Sequence, residues 1–148
     1  MTRLTDGFPT TVTFYDDDSL GSPIAVQFWE KTVKPGGYSG GGPNNTTTMR
    51  NISRRTKQPK KLVDTKPLQL KCAYDPQIVD SIESLINVLK WVVVDYPDGS
   101  SVGNWGWLDD VDFDDITEGS QPECTIMVEI SNQDADSVEV GPVYIAPS

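Results

Sequence analysis

The segment Glu123–Ile130 places the tightest constraint on the fold. Cys124, Ile126, Val128 and Ile130 alternate with Glu123, Thr125, Met127 and Glu129, a period of two that fits a strand with one buried and one polar face. Such a strand needs a sheet whose apolar side is covered. Further segments supply one. Thr10–Phe14 is a β-branched run that stops at Asp16-Asp17-Asp18. Ile24–Lys31 sets Ile24, Val26 and Phe28 against Ala25, Gln27 and Trp29, again with a period of two. Lys61–Tyr74 has strand character interrupted at Pro67, which cannot donate to a ladder. Trp91–Tyr96 runs into the turn Pro97-Asp98-Gly99, and Val102–Leu108 and Val111–Ile116 read as two further strands.

Only one stretch has helical spacing. Asp75-Pro76 is a start signal, with Asp at the cap and Pro at the first helical position. Ile78, Ile82, Leu85, Ile86 and Leu89 then form one apolar stripe over about four turns. The 148 residues fit a single domain, residues 1–148. The expected fold class is mainly β, a β-sandwich or barrel with one packed α-helix and a long early loop. That loop is Lys34–Lys60, which opens with PGGYSGGGPNN and continues through a threonine- and arginine-rich stretch. Glycine costs the most backbone entropy to order, and the segment has few apolar anchors to offset it. A connection of this length is generally functional or disordered, so it is expected to be a mobile loop with Gly36–Gly42 as its tip. Residues 137–148 form a C-terminal arm in which Val138, Val140, Val143 and Ile145 are interrupted by Gly141-Pro142.

The composition argues against catalysis. The chain has no histidine, which removes the commonest general base and metal ligand and any Ser-His or Cys-His pair. Cys72 and Cys124 lack metal-ligand spacing, and each falls in a strand-like segment, so buried free thiols are expected. No secretory leader follows Met1, and Trp91-Val92-Val93-Val94 is the longest apolar run, far short of the roughly 20 residues of a membrane span. A soluble protein made in the cytosol is the expectation, with no enzyme activity, cofactor or metal.

Charge is segregated along the chain. Arg50–Lys71 holds eight basic residues and one acid, whereas Cys72 to the end holds sixteen acids against Lys90 alone. Such a bipolar chain pairs its own halves or pairs one subunit with the next. Asp110, Asp112 and Asp114 have the spacing that opens a calcium-binding loop, yet Asp115 stands where glycine is needed and Gln121 where the bidentate Glu belongs. A solvated strand face explains them better. The basic run could bind nucleic acid through phosphates, but no aromatic residue is interleaved for stacking and the whole chain carries −10. Trp105 and Trp107 share one strand face, which fits core packing or a subunit interface.

The order of elements between Leu62 and Asn132 resembles the major tail tube proteins of siphophages. It runs from YDP and an amphipathic helix to a strand ending in PDG and a W-G-W-L strand. A charged strand, an E-G turn and TIMVEISN complete it. The resemblance implies a structural subunit in the virion tail, assembled in the host cytoplasm into stacked, hexameric rings that conduct the genome. It implies self-association, contact with other tail proteins, DNA passing without specific binding, and no membrane partner. It also implies that the early loop meets a neighbouring ring. On that basis Lys34, Tyr38, Arg50, Arg54, Arg55, Lys57, Lys60 and Lys61 are candidate inter-subunit residues. Asp109, Asp110, Asp112, Asp114 and Asp115 form an acidic face, either meeting that loop across subunits or lining the lumen. A tail terminator, neck protein or capsid decoration protein is the alternative reading, and a nucleic-acid-binding module is a further one.

Overall fold

A computed structural model describes residues 9–19, 21 and 28–147. In chain order the strands are β1 (Thr11–Tyr15), β2 (Glu30–Lys34), β3 (Tyr38–Ser39), β4 (Pro43–Asn45), β5 (Lys57–Pro59), β6 (Asp64–Thr65) and β7 (Leu68–Ala73). Helix α1 (Ile78–Ile82) and a 3₁₀ turn (Glu83–Leu85) follow, then β8 (Lys90–Asp95), β9 (Ser101–Phe113), β10 (Glu123–Ile130) and β11 (Val143–Ile145). The main sheet runs β1-β8-β9-β10-β7-β2, with β11 on the free end of β9. Every pairing in it is antiparallel. The mainly β class with one short helix is therefore correct.

The sheet curls, so its two edges approach each other. There the side-chain carboxylate of Glu30 on β2 accepts the backbone N–H of Val12 on β1 at 3.2 Å. A side chain thus satisfies an edge donor that would otherwise invite another strand. Inside the curl, Phe14, Leu70, Cys72, Val92, Leu108, Ile126 and Val128 form one core, with Ile82 and Leu85 packed on it. The alternation over Glu123–Ile130 is realised residue by residue, with Cys124, Ile126 and Val128 all buried. Cys124 faces Cys72 directly across the β7–β10 ladder, and both thiols are free and buried. Burial pushes the Cys72 thiol up to about 12, with the nearby Cys124 adding to the effect, so the thiolate is strongly disfavoured.

A second, smaller cluster lies on the opposite face. Trp91 and Trp105 meet edge to face at 5.5 Å, joined by Val93 and flanked by Tyr15, Leu89 and Val140. Trp105 is thus a packing residue, while Trp107 is half-buried.

Three expectations need correction, and each has a local cause. The helix is one α turn and a 3₁₀ turn rather than four turns. Ile86 is already extended and bridges to Leu108, and Asn87 takes φ +62°, so the chain leaves the helix to enter the sheet. Asp75 does not cap the helix; its side chain accepts the N–H of Gln77 in an Asx turn. Val102–Leu108 and Val111–Ile116 are not two strands but parts of the single strand β9. A bulge lets Asp109 stand unpaired between Leu108 opposite Val128 and Asp110 opposite Met127. Residues 24–27 of the expected early strand lie outside the described residues, and β2 itself begins at Glu30.

Gly103 has a packing reason. A Cβ there would collide with the indole of Trp91, which is itself buried, so the ring or the backbone would have to shift. Gly103→Ala is expected to lower stability by about 1–3 kcal/mol through overpacking, read as a fall in the denaturant midpoint at unchanged slope. An unchanged midpoint would show that the second tryptophan cluster is loosely packed.

Candidate functional site: a basic hairpin arm and a polar sheet face

Residues 34–65 project from the sheet as a hairpin arm. β3 pairs with β6, and further out β4 pairs with β5 through Pro43–Pro59, Asn44–Gln58 and Asn45–Lys57. The outer ladder opens on two prolines, which offer no N–H and so leave little for a foreign strand to join. Beyond Asn45 the arm is closed by polar side chains. Thr46 Oγ1 donates to Thr56 Oγ1 at 3.0 Å, Thr47 Oγ1 to the Thr56 carbonyl at 3.1 Å, and Asn51 Nδ2 to the Arg54 carbonyl at 2.8 Å. The turn closes where the Asn51 N–H meets the Thr48 carbonyl at 3.1 Å. The glycine-rich stretch therefore belongs to the base and lower flank of the arm, and the tip is Thr46–Thr56.

The base is anchored to the body. Gly36 lies against the backbone of Lys66 so closely that a Cβ would strike its carbonyl oxygen. Lys66 N–H donates to Gly37 at 2.7 Å, and Thr65 Oγ1 donates to Asn132 Oδ1 at 3.0 Å.

The candidate interface residues distribute along this arm. Lys34 ends β2, Tyr38 stands exposed on β3 at the base, and Lys57 lies on β5. Lys60 and Lys61 occupy the stretch between β5 and β6, and Arg50, Arg54 and Arg55 crowd the tip. From Arg50 to Lys61 there are six cations and no acid. All six are exposed, and none belongs to an ion pair among the described residues. At the tip Met49 and Ile52 are fully exposed, at 104% and 101%. The sequence marks them only as isolated apolar residues in a polar run, so they were absent from the expected interface.

The acidic candidates do not act as one cluster. Asp110 and Asp112 lie opposite Met127 and Thr125, on the polar face of the sheet, while Val111 packs against the core. Asp109 is the bulge residue, and Asp115 lies beyond the strand. Asp114 turns inward along the same face to Lys71 at 3.5 Å. Lys71 also reaches Glu123 at 3.3 Å, and Glu123 accepts Lys31 at 2.6 Å. This ladder of ion pairs ties β2, β7 and β10 together. Hydrogen bonds from Lys31 and Lys71 hold the Glu123 carboxyl below its ordinary range. The run Asp110–Asp114 is thus mostly regular strand, which is no calcium loop. Among the described residues, no group of three Cys, Asp or Glu side chains is placed to hold a metal, and no helix is long and apolar enough to cross a membrane.

No protein-family model matches the chain. No curated protein matches it either. Several solved structures share its fold. One is a component of the anti-feeding prophage baseplate, 6-fold symmetrised, with TM-score 0.65 and 11% identity over 98% of this chain and 97% of that one. Another comes from the virion of a native gene transfer agent particle, with TM-score 0.61 and 9% identity over 97% of this chain and 100% of that one. A third is the SPP1 tail tube, with TM-score 0.52 and 14% identity over 91% of this chain and 75% of that one. At these identities the likeness is one of fold, and it extends over nearly the whole chain, arm included. The chain has the fold of phage-tail and related tail-assembly proteins.

Proposed function

We propose that this chain is a structural subunit of a bacteriophage tail tube, assembling into stacked six-membered rings that form the conduit for genome delivery. The observation that carries the proposal is the arm. A hairpin with two bare apolar side chains and six cations, none in an ion pair among the described residues, extends from a body that is strongly acidic and whose sheet edges meet. A monomer gains nothing from such an arm, and a neighbour of the same kind offers the missing acids. Six-fold symmetry in the baseplate whose component shares this fold supports the ring number.

The polar sheet face suits the lumen. Duplex DNA carries about one charge per 1.7 Å, so a basic lining would trap it. Asp110, Asp112 and Glu129 leave that face acidic, while Lys31 and Lys71 on the same face are neutralised by Glu123 and Asp114. A second reading is a ring-forming piece at the end of the tube, favoured by the baseplate likeness. Such a piece would form closed single rings and would not elongate.

Microscopy of the purified chain at high concentration, with and without a tail-initiating complex, distinguishes these. Long tubes are expected; single rings would favour the second reading, and a strict monomer under all conditions would overturn both. Reversal of Arg54 and Arg55 to Glu should abolish elongation. Each exposed pair contributes only about 0–1 kcal/mol, but the loss repeats at every subunit. Reversal of Asp110 and Asp112 to Lys should leave tube length unchanged and retard DNA passage. Rescue of the arginine variant by the aspartate variant would instead place the acidic strand in the arm's binding surface. Amide exchange gives an independent check: the arm's amides should exchange fast in the monomer and slowly in the tube.

A further inference from the structure

At the base of the arm the sheet opens into a recess of about 230 Å³. Leu68, Val94, Val102 and Ile130 form its apolar wall, Tyr38 its outer rim, and Asn104 its polar element. The Asn104 Oδ1 is buried with no hydrogen-bond partner among the described residues. A buried acceptor of this kind costs free energy until a donor reaches it. The volume exceeds the roughly 30 Å³ share of one water and falls below the roughly 300–1,000 Å³ of small-molecule sites. It has the dimensions of a socket for one long side chain with an N–H beside it.

The arm tip carries such a group. Met49 is the first corner residue of the Thr48–Asn51 turn, fully exposed, and Arg50 follows it with a guanidinium that can donate. Methionine adapts to irregular apolar recesses better than branched residues do. We infer that Met49 of one copy of this chain seats in the recess of a second copy, with Arg50 donating to Asn104 Oδ1. The occupant comes from another copy because the recess lies at the arm's own base. Both arm ladders, β3–β6 and β4–β5, stand between it and the tip of the same chain. Charge also fits. In chain order the lining residues Val94 and Tyr96 adjoin Asp95 and Asp98, and Ile130 and Pro142 bracket Asp134, Asp136 and Glu139, against Arg50, Arg54 and Arg55 at the tip. The recess and the acidic run Asp110–Asp115 lie toward opposite ends of β9. Asn104 and Asp112 are eight positions apart, about 25 Å at strand rise, so the socket leaves the lumen-facing acids free.

This inference rests on the tube-subunit reading, and the test separates the two. Assembly of the wild-type chain is scored first by microscopy. Chains carrying Met49→Cys are then co-assembled with chains carrying Tyr38→Cys or, separately, Pro142→Cys, and oxidised. Cys72 and Cys124 are buried at 0% and 1% exposure and do not compete. Inter-chain cross-links are expected in both mixtures and not in a control mixture with Thr117→Cys at the acidic end. Met49→Asp is expected to raise the concentration needed for assembly about tenfold or more with an unchanged thermal transition, since the side chain is bare in the monomer. Assembled particles that lack both cross-links, or that form normally from Met49→Asp, overturn the socket and leave the tube reading intact. A wild-type chain that never assembles overturns both.

Discussion

A sheet with one apolar face and a single short helix to cover it must curl until it covers itself. The rest of this structure follows from that constraint. Curling brings the β1 and β2 edges together, where Glu30 takes the Val12 N–H. It needs a bulge, supplied at Asp109, so that Leu108 and Val111 can both face the core with an extra residue between them. It also turns the opposite face outward, polar along β7 and β10 and covered by the tryptophan cluster on β8 and β9. The ion-pair ladder from Lys31 through Glu123 and Lys71 to Asp114 runs along that surface and crosses three strands. The interior of the curl is then largely apolar and holds two free thiols face to face.

The sheet was legible in the sequence where one face of a strand is buried and the other is not. Glu123–Ile130, Trp91–Tyr96 and the break at Pro67 all follow from side-chain period and from what proline cannot donate. The helix misled because its apolar stripe continues into residues with other destinations. Ile86 bridges to the sheet and Leu89 packs in the second cluster, so a helical period arose from residues that do not share a helix. The arm was illegible as structure for the opposite reason. Its pairs are Pro–Pro, Asn–Gln and Asn–Lys, with no alternation of hydrophobicity, and its tip is held by threonine and asparagine side chains bonding locally. Composition identified the arm's cations, but only the topology placed them along a projecting hairpin, with Arg50, Arg54 and Arg55 at its tip and none in an ion pair among the described residues.

Segregating charge in this way has a physical consequence for assembly. Without histidine, the chain has no side chain whose ordinary titration falls between pH 5 and 8. The arm stays basic and the body acidic across that range, so the attraction proposed between copies does not depend on side-chain titration there. Screening is then the main control, since surface pairs farther apart than about 8 Å are weakened at physiological ionic strength. Short, seated contacts resist such screening better than surface charges do. In the proposed assembly an apolar anchor at the arm tip complements the cations for this reason: charge would steer the encounter, and burial of an aliphatic side chain would set how long the contact lasts.

The division between body and arm also places the packed residues of one copy within its own body. The larger core lies within the curl and the smaller one on the opposite face of β8 and β9, and among the described residues the arm contributes nothing to either beyond the flanking Val33. Exposing Met49, Ile52 and six cations therefore costs the body's packing nothing. The base is the exception. Gly36 pressed on Lys66 and Thr65 bonded to Asn132 fix the angle at which the arm leaves the sheet. For a repeated assembly that angle matters more than any single contact, because an error in it accumulates with each added subunit, whereas a weakened contact at the tip is averaged over the ring.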